Sequence, residues 1–582
     1  MAAGAQSPVL LEKDTPLRDS VLWRLQSAFY DTVSVDAWAK AIVPNFVSSN
    51  SFLAKSYARM VLGFARDWFL GYAVVCFVGV TSCHSALCRH GAADPSQPIH
   101  IIEVGAGHGK LTHLLLHHLL DMREAWPAGV QAPFKLVMTD FTQSNVDFWM
   151  QHKPLQEHVQ SGLLDMAVFD AVHDRSLRLL HSKKTLNAAS LANPVVVINN
   201  YIFDTLPHDA FFVEKGICSQ ALASTSTTTA SAGARKQLAA AKQQSGGKAP
   251  PSKIPVEASM IKTLSCTWNY NPIDISSLGG PYASDPSLSN TLQWYADNCE
   301  EASVLLPIGG LSLMNNVLAF SGGKAMVLVG DKAYSQLSEL VGRRDPHIAV
   351  HGSFSLMVNL HAVQKYTELR QGISMMTPYI DGFKCAAFMF GMESEVAMET
   401  QIAWEDVMSS FGPENFSAVQ RCVRDETQDP SLATALSVIR VAQWDSDVFY
   451  KFKGTVLAKS TAAPDKVKAD LYRDVQRILA TYYPLQPSKD ISFELARVLM
   501  GLGRYEESVE LFQQSTDECG EHHVTWYNVG LCEFHRGNFP RAVELFTLSL
   551  EQSGGKYDNA RSWLAKANNR LQAGEDATGD TA

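Results

Sequence analysis

Residues Ile99 to Leu111 read IHIIEVGAGHGKL, and no other stretch restricts the possible folds so tightly. An apolar run leads into an acid, Glu103. Glycines follow at every second position, Gly105, Gly107 and Gly109, with Ala106 between the first two. Leucines then recur at Leu111, Leu114, Leu115, Leu116 and Leu119. This order predicts a buried parallel strand, a tight turn and a helix. Glycine permits the turn and lets a ligand approach the backbone closely.

Dinucleotide-binding turns space their glycines as G-x-G-x-x-G, whereas here the pattern is G-x-G-x-G with an acid two residues before the first glycine. A Walker loop is excluded, because Lys110 is followed by Leu111 rather than Ser or Thr. The pattern resembles motif I of class I S-adenosylmethionine methyltransferases.

Other short apolar runs close on polar residues in the same way. Phe134 to Thr139 ends in Asp140, Met166 to Phe169 in Asp170, and Pro194 to Ile198 in Asn199 and Asn200. Helical stretches separate them, so the expected fold class is α/β, a doubly wound parallel sheet. Ligands in such sheets bind at the carboxyl ends of the strands, where Glu103, Asp140, Asp170 and Asn200 fall.

Residues 16 to 67 read as helical, and residues 1–95 are expected to form a helical amino-terminal cap. Phe211 to Gly216 and Met260 to Tyr270 read as two strands of an excursion. The low-complexity chain between them, about 221–256, is expected to be a disordered insertion at a hairpin tip. It carries Arg235, Lys236, Lys242, Lys248 and Lys253 and no acid before Glu257. Pro307 to Phe320 reads as a helix and Ala325 to Val329 as a strand. Ser353 to Leu360 and Phe383 to Phe390 read as the last, antiparallel strands, which closes the sheet domain at 96–395. A helical connector, 396–485, follows.

Residues 486–582 contain a repeat. Gly503-Arg504-Tyr505 and Gly537-Asn538-Phe539 lie 34 residues apart, and Val509-Glu510-Leu511-Phe512 matches Val543-Glu544-Leu545-Phe546 at the same offset. Ala496 matches Gly530, the small residue expected where paired helices cross. Period and pattern are those of tetratricopeptide repeats, with Ala560 to Leu571 as a capping helix.

Bulk properties narrow the function classes. The net charge is -10 over 582 residues, which argues against general nucleic-acid binding. The ten cysteines form no CxxC pair. The nearest approach to a metal pattern is Cys83, His84, Cys88 and His90, which lacks a second distant pair, so no metal is expected. The amino terminus lacks the features of a signal peptide. The apolar run Trp68 to Val80 is 13 residues long, short of the ~20 that span a bilayer. An intracellular protein is expected, in the cytoplasm with the mitochondrion as the alternative, and with no membrane association.

The segment Pro194 to Phe212, PVVVINNYIFDTLPHDAFF, resembles the hallmark of MidA-like S-adenosylmethionine-dependent methyltransferases. That family includes mitochondrial protein-arginine methyltransferases that assist assembly of respiratory complex I. Asn199, Tyr201, Phe203, Asp204, Leu206 and Pro207 fit its Asn-Glu-aromatic-x-Asp-x-Leu-Pro segment, and Asn200 stands where the family often has Glu. The chain is similar to a branch with carboxyl-terminal tetratricopeptide repeats, through residues 43–67, 306–316, 327–334 and 351–363.

The resemblance implies S-adenosylmethionine as cofactor, held by Glu103, Gly105, Ala106, Gly107, Gly109, Asp140, Asp170 and Asn199. It implies methyl transfer, with Asp204 and Asp209 orienting an acceptor, Asn200 holding a substrate amine through its amide oxygen, and His208 as a base. A protein side-chain nitrogen is the expected acceptor and a protein the expected partner, recruited by the repeats. An inactive scaffold and a small-molecule O- or N-methyltransferase are the alternatives.

Overall fold

Runs such as Val195-Val196-Val197-Ile198 are apolar at every position, the pattern of a strand covered on both faces. The computed structural model arranges such runs as one sheet. It describes residues 7–40, 42–43, 46–77, 93–130, 133–245, 251–378, 382–485 and 488–579. The chain divides into two units, Met1–Ser49 with Leu53–Asn415, and Asn50–Phe52 with Phe416–Ala582.

In the first unit the main sheet runs Ile373–Met376, Phe383–Phe390, Ala325–Tyr334, Val195–Asn200, Ile99–Val104, Phe134–Asp140, Leu164–Val168. Neighbours are parallel except Phe383–Phe390, which is antiparallel to both strands beside it. Ile99 lies opposite Phe134, and His100 opposite Val195. The Lys110–Asp121 and Ile308–Phe320 helices bury leucine-rich faces, giving the layered α/β architecture.

A second sheet is antiparallel. Its strands are Val9–Pro16, Ile217–Thr227, Asp209–Glu214 and Glu301–Leu306, with Ser265–Pro272 also pairing Ile217–Thr227. Three sequence expectations change here. The amino-terminal region is not wholly helical, because Val9–Pro16 pairs with Ile217–Thr227 before the Val21–Val33 helix begins. The stretch expected to be disordered is largely built: Glu214 turns directly onto Ile217, and Ile217–Thr227 extends the sheet. The Ala232–Gln244 helix follows, capped by Ser231, and buries Ala234, Leu238 and Ala241. Three apolar residues at helical spacing sufficed to dock a segment whose composition looked solvated. Residues 246–250 lie outside the described residues. Finally, Ser353–Leu356 pairs with Ile348–His351, and of that expected strand only Val358–Asn359 joins the main sheet, parallel to Ala325–Tyr334 rather than antiparallel; the edge strand is Ile373–Met376.

The apolar stretch after Trp68 forms part of the Ser51–Phe77 helix as far as Phe77. The Cys83, His84, Cys88 and His90 pattern lies outside the described residues. Among the described residues, no helix is long and apolar enough to cross a membrane.

The second unit is helical. Helices Ile491–Gly501, Tyr505–Cys519, His523–His535, Phe539–Gln552 and Asp558–Gly579 follow one another in its carboxyl-terminal part. Gly503 and Gly537, at the repeat offset, hold φ of 75° and 83° in the turns between paired helices. A Cβ on Gly530 would stand 2.7 Å from the Phe546 ring, so the small residue is what lets those two helices meet. Trp563 and Leu564 of the last helix pack on Ala542 and Phe546.

Candidate functional site

Ile99–Val104 and Val195–Asn200 are neighbours, but the chain leaves them in opposite directions across the sheet. From the first it runs outward through Phe134–Asp140 to Leu164–Val168. It then returns to Val195–Asn200 and proceeds to Ala325–Tyr334 on the other side. The helices therefore diverge beyond the carboxyl ends of these two strands and leave a crevice. A cavity of about 520 Å³ lies there, within the size range of small-molecule sites.

The glycine turn forms its floor. Gly105, Gly107 and Gly109 have φ of 62°, 54° and 84°, a region that disfavours side chains. A Cβ on Gly105 would lie 2.3 Å from Ile202 Cδ1, and one on Gly107 would lie 2.9 Å from the Trp38 ring. Gly105, Ala106 and Gly107 line the cavity. Gly109 instead starts the Lys110–Asp121 helix, donating its N–H to Ala106 O at 2.8 Å.

Glu103, Asp140 and Asp170 all reach the cavity from strand ends. Glu103 accepts from the Thr112 hydroxyl. Burial pushes its carboxyl up to about 8, and the nearby charge of Asp140 adds to the shift. Asp140 accepts from Gly107 N–H at 3.2 Å, Asn145 Nδ2 at 2.9 Å, and Thr142 N–H and Oγ1 at 3.0 Å each. It therefore ties the glycine turn to the next helix, and burial raises its pKa. Asp170 is exposed, accepts from Val172 N–H at 2.9 Å and His173 N–H at 3.1 Å, and faces His173 Nδ1 at 2.9 Å. The neighbouring candidates do not compete with it: Asp165 is buried against Lys135 at 3.1 Å, and Asp174 accepts from Asp170 N–H at 2.8 Å.

The roof comes from the amino-terminal region. Ser20 caps the Val21–Val33 helix, which turns Trp23, Gln26, Ser27 and Tyr30 toward the cavity. Tyr30 stacks on Trp38 with ring centroids 5.8 Å apart, and Trp38 meets His108 edge-on at 5.9 Å. Ser34 Oγ bonds Asn145 Oδ1 at 2.9 Å, linking roof to floor. Val256 also lines the cavity, and Arg24 Nη1 donates to Ile254 O at 2.9 Å. These contributors were missed by sequence reasoning because they lie 67 or more residues from Gly105, or in the stretch that read as disordered. Their only local signal was the aromatic stripe Trp23, Tyr30 and Trp38.

Of the residues expected to handle an acceptor, only Asn200 reaches the cavity. Its Oδ1 accepts from the Tyr57 hydroxyl at 2.7 Å and its Nδ2 donates to Ser48 O at 3.0 Å, which fixes the amide's orientation. Asn199 points the other way, as strand alternation requires, and donates Nδ2 to Leu328 O at 3.4 Å inside the core. Asp204 is buried beside Asp331, whose Oδ2 accepts the Asp204 N–H at 3.2 Å, and burial raises the Asp204 carboxyl to about 7. His208 is fully buried, stacked on Trp23 at 5.8 Å, with Nδ1 against Leu206 O at 2.9 Å; burial lowers it to about 4. Asp209 is sealed in an ion pair with Arg18 at 2.5 Å. None of these last three lines the cavity. Beside Asn200, the chain enters the cavity with Tyr201, held at φ 52°, a costly conformation for a bulky residue.

No protein-family model matches the chain, and neither does any curated protein. Among solved structures, the chain is similar to an uncharacterized superfamily protein from Burkholderia thailandensis. That match has 10% identity, covers 65% of this chain and 95% of that one, and gives a TM-score of 0.33. It is also similar to a superfamily member from the same organism bound to S-adenosyl-homocysteine. There the identity is 11%, the coverage 64% and 94%, and the TM-score 0.31.

Proposed function

We propose that the protein is an S-adenosylmethionine-dependent methyltransferase acting on a protein side-chain nitrogen. The observation that supports this most is the glycine turn at the strand-order reversal, flanked by Glu103 and Asp140 and opening on a cavity of about 520 Å³. The residues present fit that cofactor. Gly105 and Gly107 line the cavity without side chains, so a ligand can approach their backbone closely. Carboxylates suit a ligand carrying an ammonium and a ribose. Gly105, Ala106 and Gly107 would pass under it, Glu103 would take its amino group, and Asp140 and Asp170 would face its nucleoside.

When bound, the cofactor supplies an electrophilic methyl group on a sulfonium. Asn200 is the chain's best-placed group for the acceptor. Its Oδ1 holds one bond from Tyr57 and keeps a second lone pair for an N–H. Tyr30, Trp38 and Tyr201 would wall the acceptor off from water. The helical repeats would recruit the protein that carries it, as tetratricopeptide arrays do.

One observation favours a second reading. Asp204, His208 and Asp209 are withdrawn from the cavity, so a scaffold that binds cofactor without turning it over would have the same pocket. Incubating the chain with methyl-labelled S-adenosylmethionine and a cell lysate separates the readings. Label in a protein fraction supports the proposal. Label in the low-molecular-weight fraction makes it a small-molecule enzyme. Cofactor binding without label leaves the scaffold.

A further inference from the structure

The helix that begins at the glycine turn ends His117-His118-Leu119-Leu120-Asp121. His117 and Asp121 are one turn apart and share a face. Nε2 of His117 stands 3.5 Å from Oδ2 of Asp121. His118 is buried, and its ring meets that of His117 with centroids 5.2 Å apart. One potential ligand atom from each of the three lies within 4.8 Å of the others.

These distances can be set against a metal's needs. Two ligands each about 2.1 Å from a tetrahedral zinc stand about 3.4 Å apart. The His117–Asp121 pair already has that spacing. Bringing in His118 takes about 1.4 Å of side-chain movement. The site also occupies a helix carboxyl end, where the terminal carbonyls favour a cation. His113 lies one turn earlier on the stripe of His117, and His158, from the Lys153–Gln160 helix, is within electrostatic range of both. Further imidazoles are thus at hand for a fourth position.

We propose that His117, His118 and Asp121 bind a divalent transition cation. Two nitrogens and one oxygen suit zinc, nickel or cobalt rather than magnesium or calcium, which prefer oxygen alone. The site is independent of the cofactor reading, although it lies at the far end of the helix that follows the glycine turn.

Titrating the full chain with Co²⁺ tests this, because the cobalt spectrum distinguishes nitrogen and oxygen ligands from thiolate. The expected result is one bound equivalent, no thiolate band, and displacement by Zn²⁺. His117→Ala and Asp121→Asn should each weaken binding roughly tenfold or more. Both side chains are partly exposed, so metal-free thermal unfolding should be unchanged in the variants. Unchanged affinity in both variants, a thiolate band, or no uptake would overturn the proposal.

Discussion

The turn at Glu103–Gly109 and the turn at Asp204–Asp209 each leave the carboxyl end of a central parallel strand, and each carries carboxylates. The first opens on the cavity, whereas the second is absorbed into packing. What separates them is the path taken afterwards. Past Val104, three glycines at positive φ bend the chain back into a helix, and the backbone itself forms the floor. Past Asn200, the chain makes a short turn at Phe203–Thr205 and runs on as the Asp209–Glu214 strand of the other sheet. Arg18, Tyr282 and Trp23 close over its polar residues. An acid after a strand is thus a binding group only where the next element leaves its side open.

The contrast is sharpest at Asp209. Asp209→Ala leaves the Arg18 guanidinium without its partner, and breaking a buried pair of this kind costs about 3 kcal/mol. Chemical denaturation should show that loss, while affinity for S-adenosyl-homocysteine in the folded fraction stays unchanged. Weakened affinity at full stability would mean that Asp209 belongs to the site after all.

Gly105→Val should strike the ligand site itself, at some cost in stability. Its Cβ meets Ile202 in a conformation that favours glycine. Cofactor affinity should fall by about 100-fold or more, equivalent to about 2.7 kcal/mol. A fluorescence titration that found it intact would remove the turn from the site.

Glu103 provides a finer test. Its carboxyl, raised to about 8 in the free protein, is mostly protonated at neutral pH. An ammonium placed against it lowers that pKa, so binding releases a proton. Affinity should therefore rise, by up to roughly fiftyfold, as pH increases from about 6 toward 8. Glu103→Gln should flatten the profile; a wild-type affinity that is flat or falls over this range contradicts the assignment.

His208 offers the smallest effect. It stays neutral in the fold down to about pH 4, whereas the unfolded chain takes up a proton near 6.5. Stability should therefore fall with pH over that window. His208→Phe keeps the stack on Trp23, should cost about 1 kcal/mol at neutral pH through the lost bond to Leu206 O, and should reduce the acid slope. An unchanged slope would mean that another group causes it.

Local pattern carried part of this. The strand–glycine–helix order, the strand ends at Glu103, Asp140 and Asn200, and the offset glycines Gly503 and Gly537 are all properties of short segments. Side-chain direction beyond a strand end is set by partners far along the chain, and so it was not legible. Nothing near Asp209 announces Arg18, and nothing near Gly107 announces Trp38. The Ala232–Gln244 helix misled in another way. Its composition is that of solvated chain, and only docking of Leu238 and its alanine neighbours gives it a place.

The central claim is that the Glu103–Gly109 turn holds an S-adenosylmethionine-type nucleoside. Calorimetric titration with S-adenosyl-homocysteine tests it most directly, on the wild-type chain and on Gly107→Arg, whose side chain would enter the space beside Trp38. Micromolar one-to-one binding by the wild type, absent in a folded Gly107→Arg, is the predicted result. No heat from a folded wild-type sample, or equal binding by both proteins, would contradict the claim.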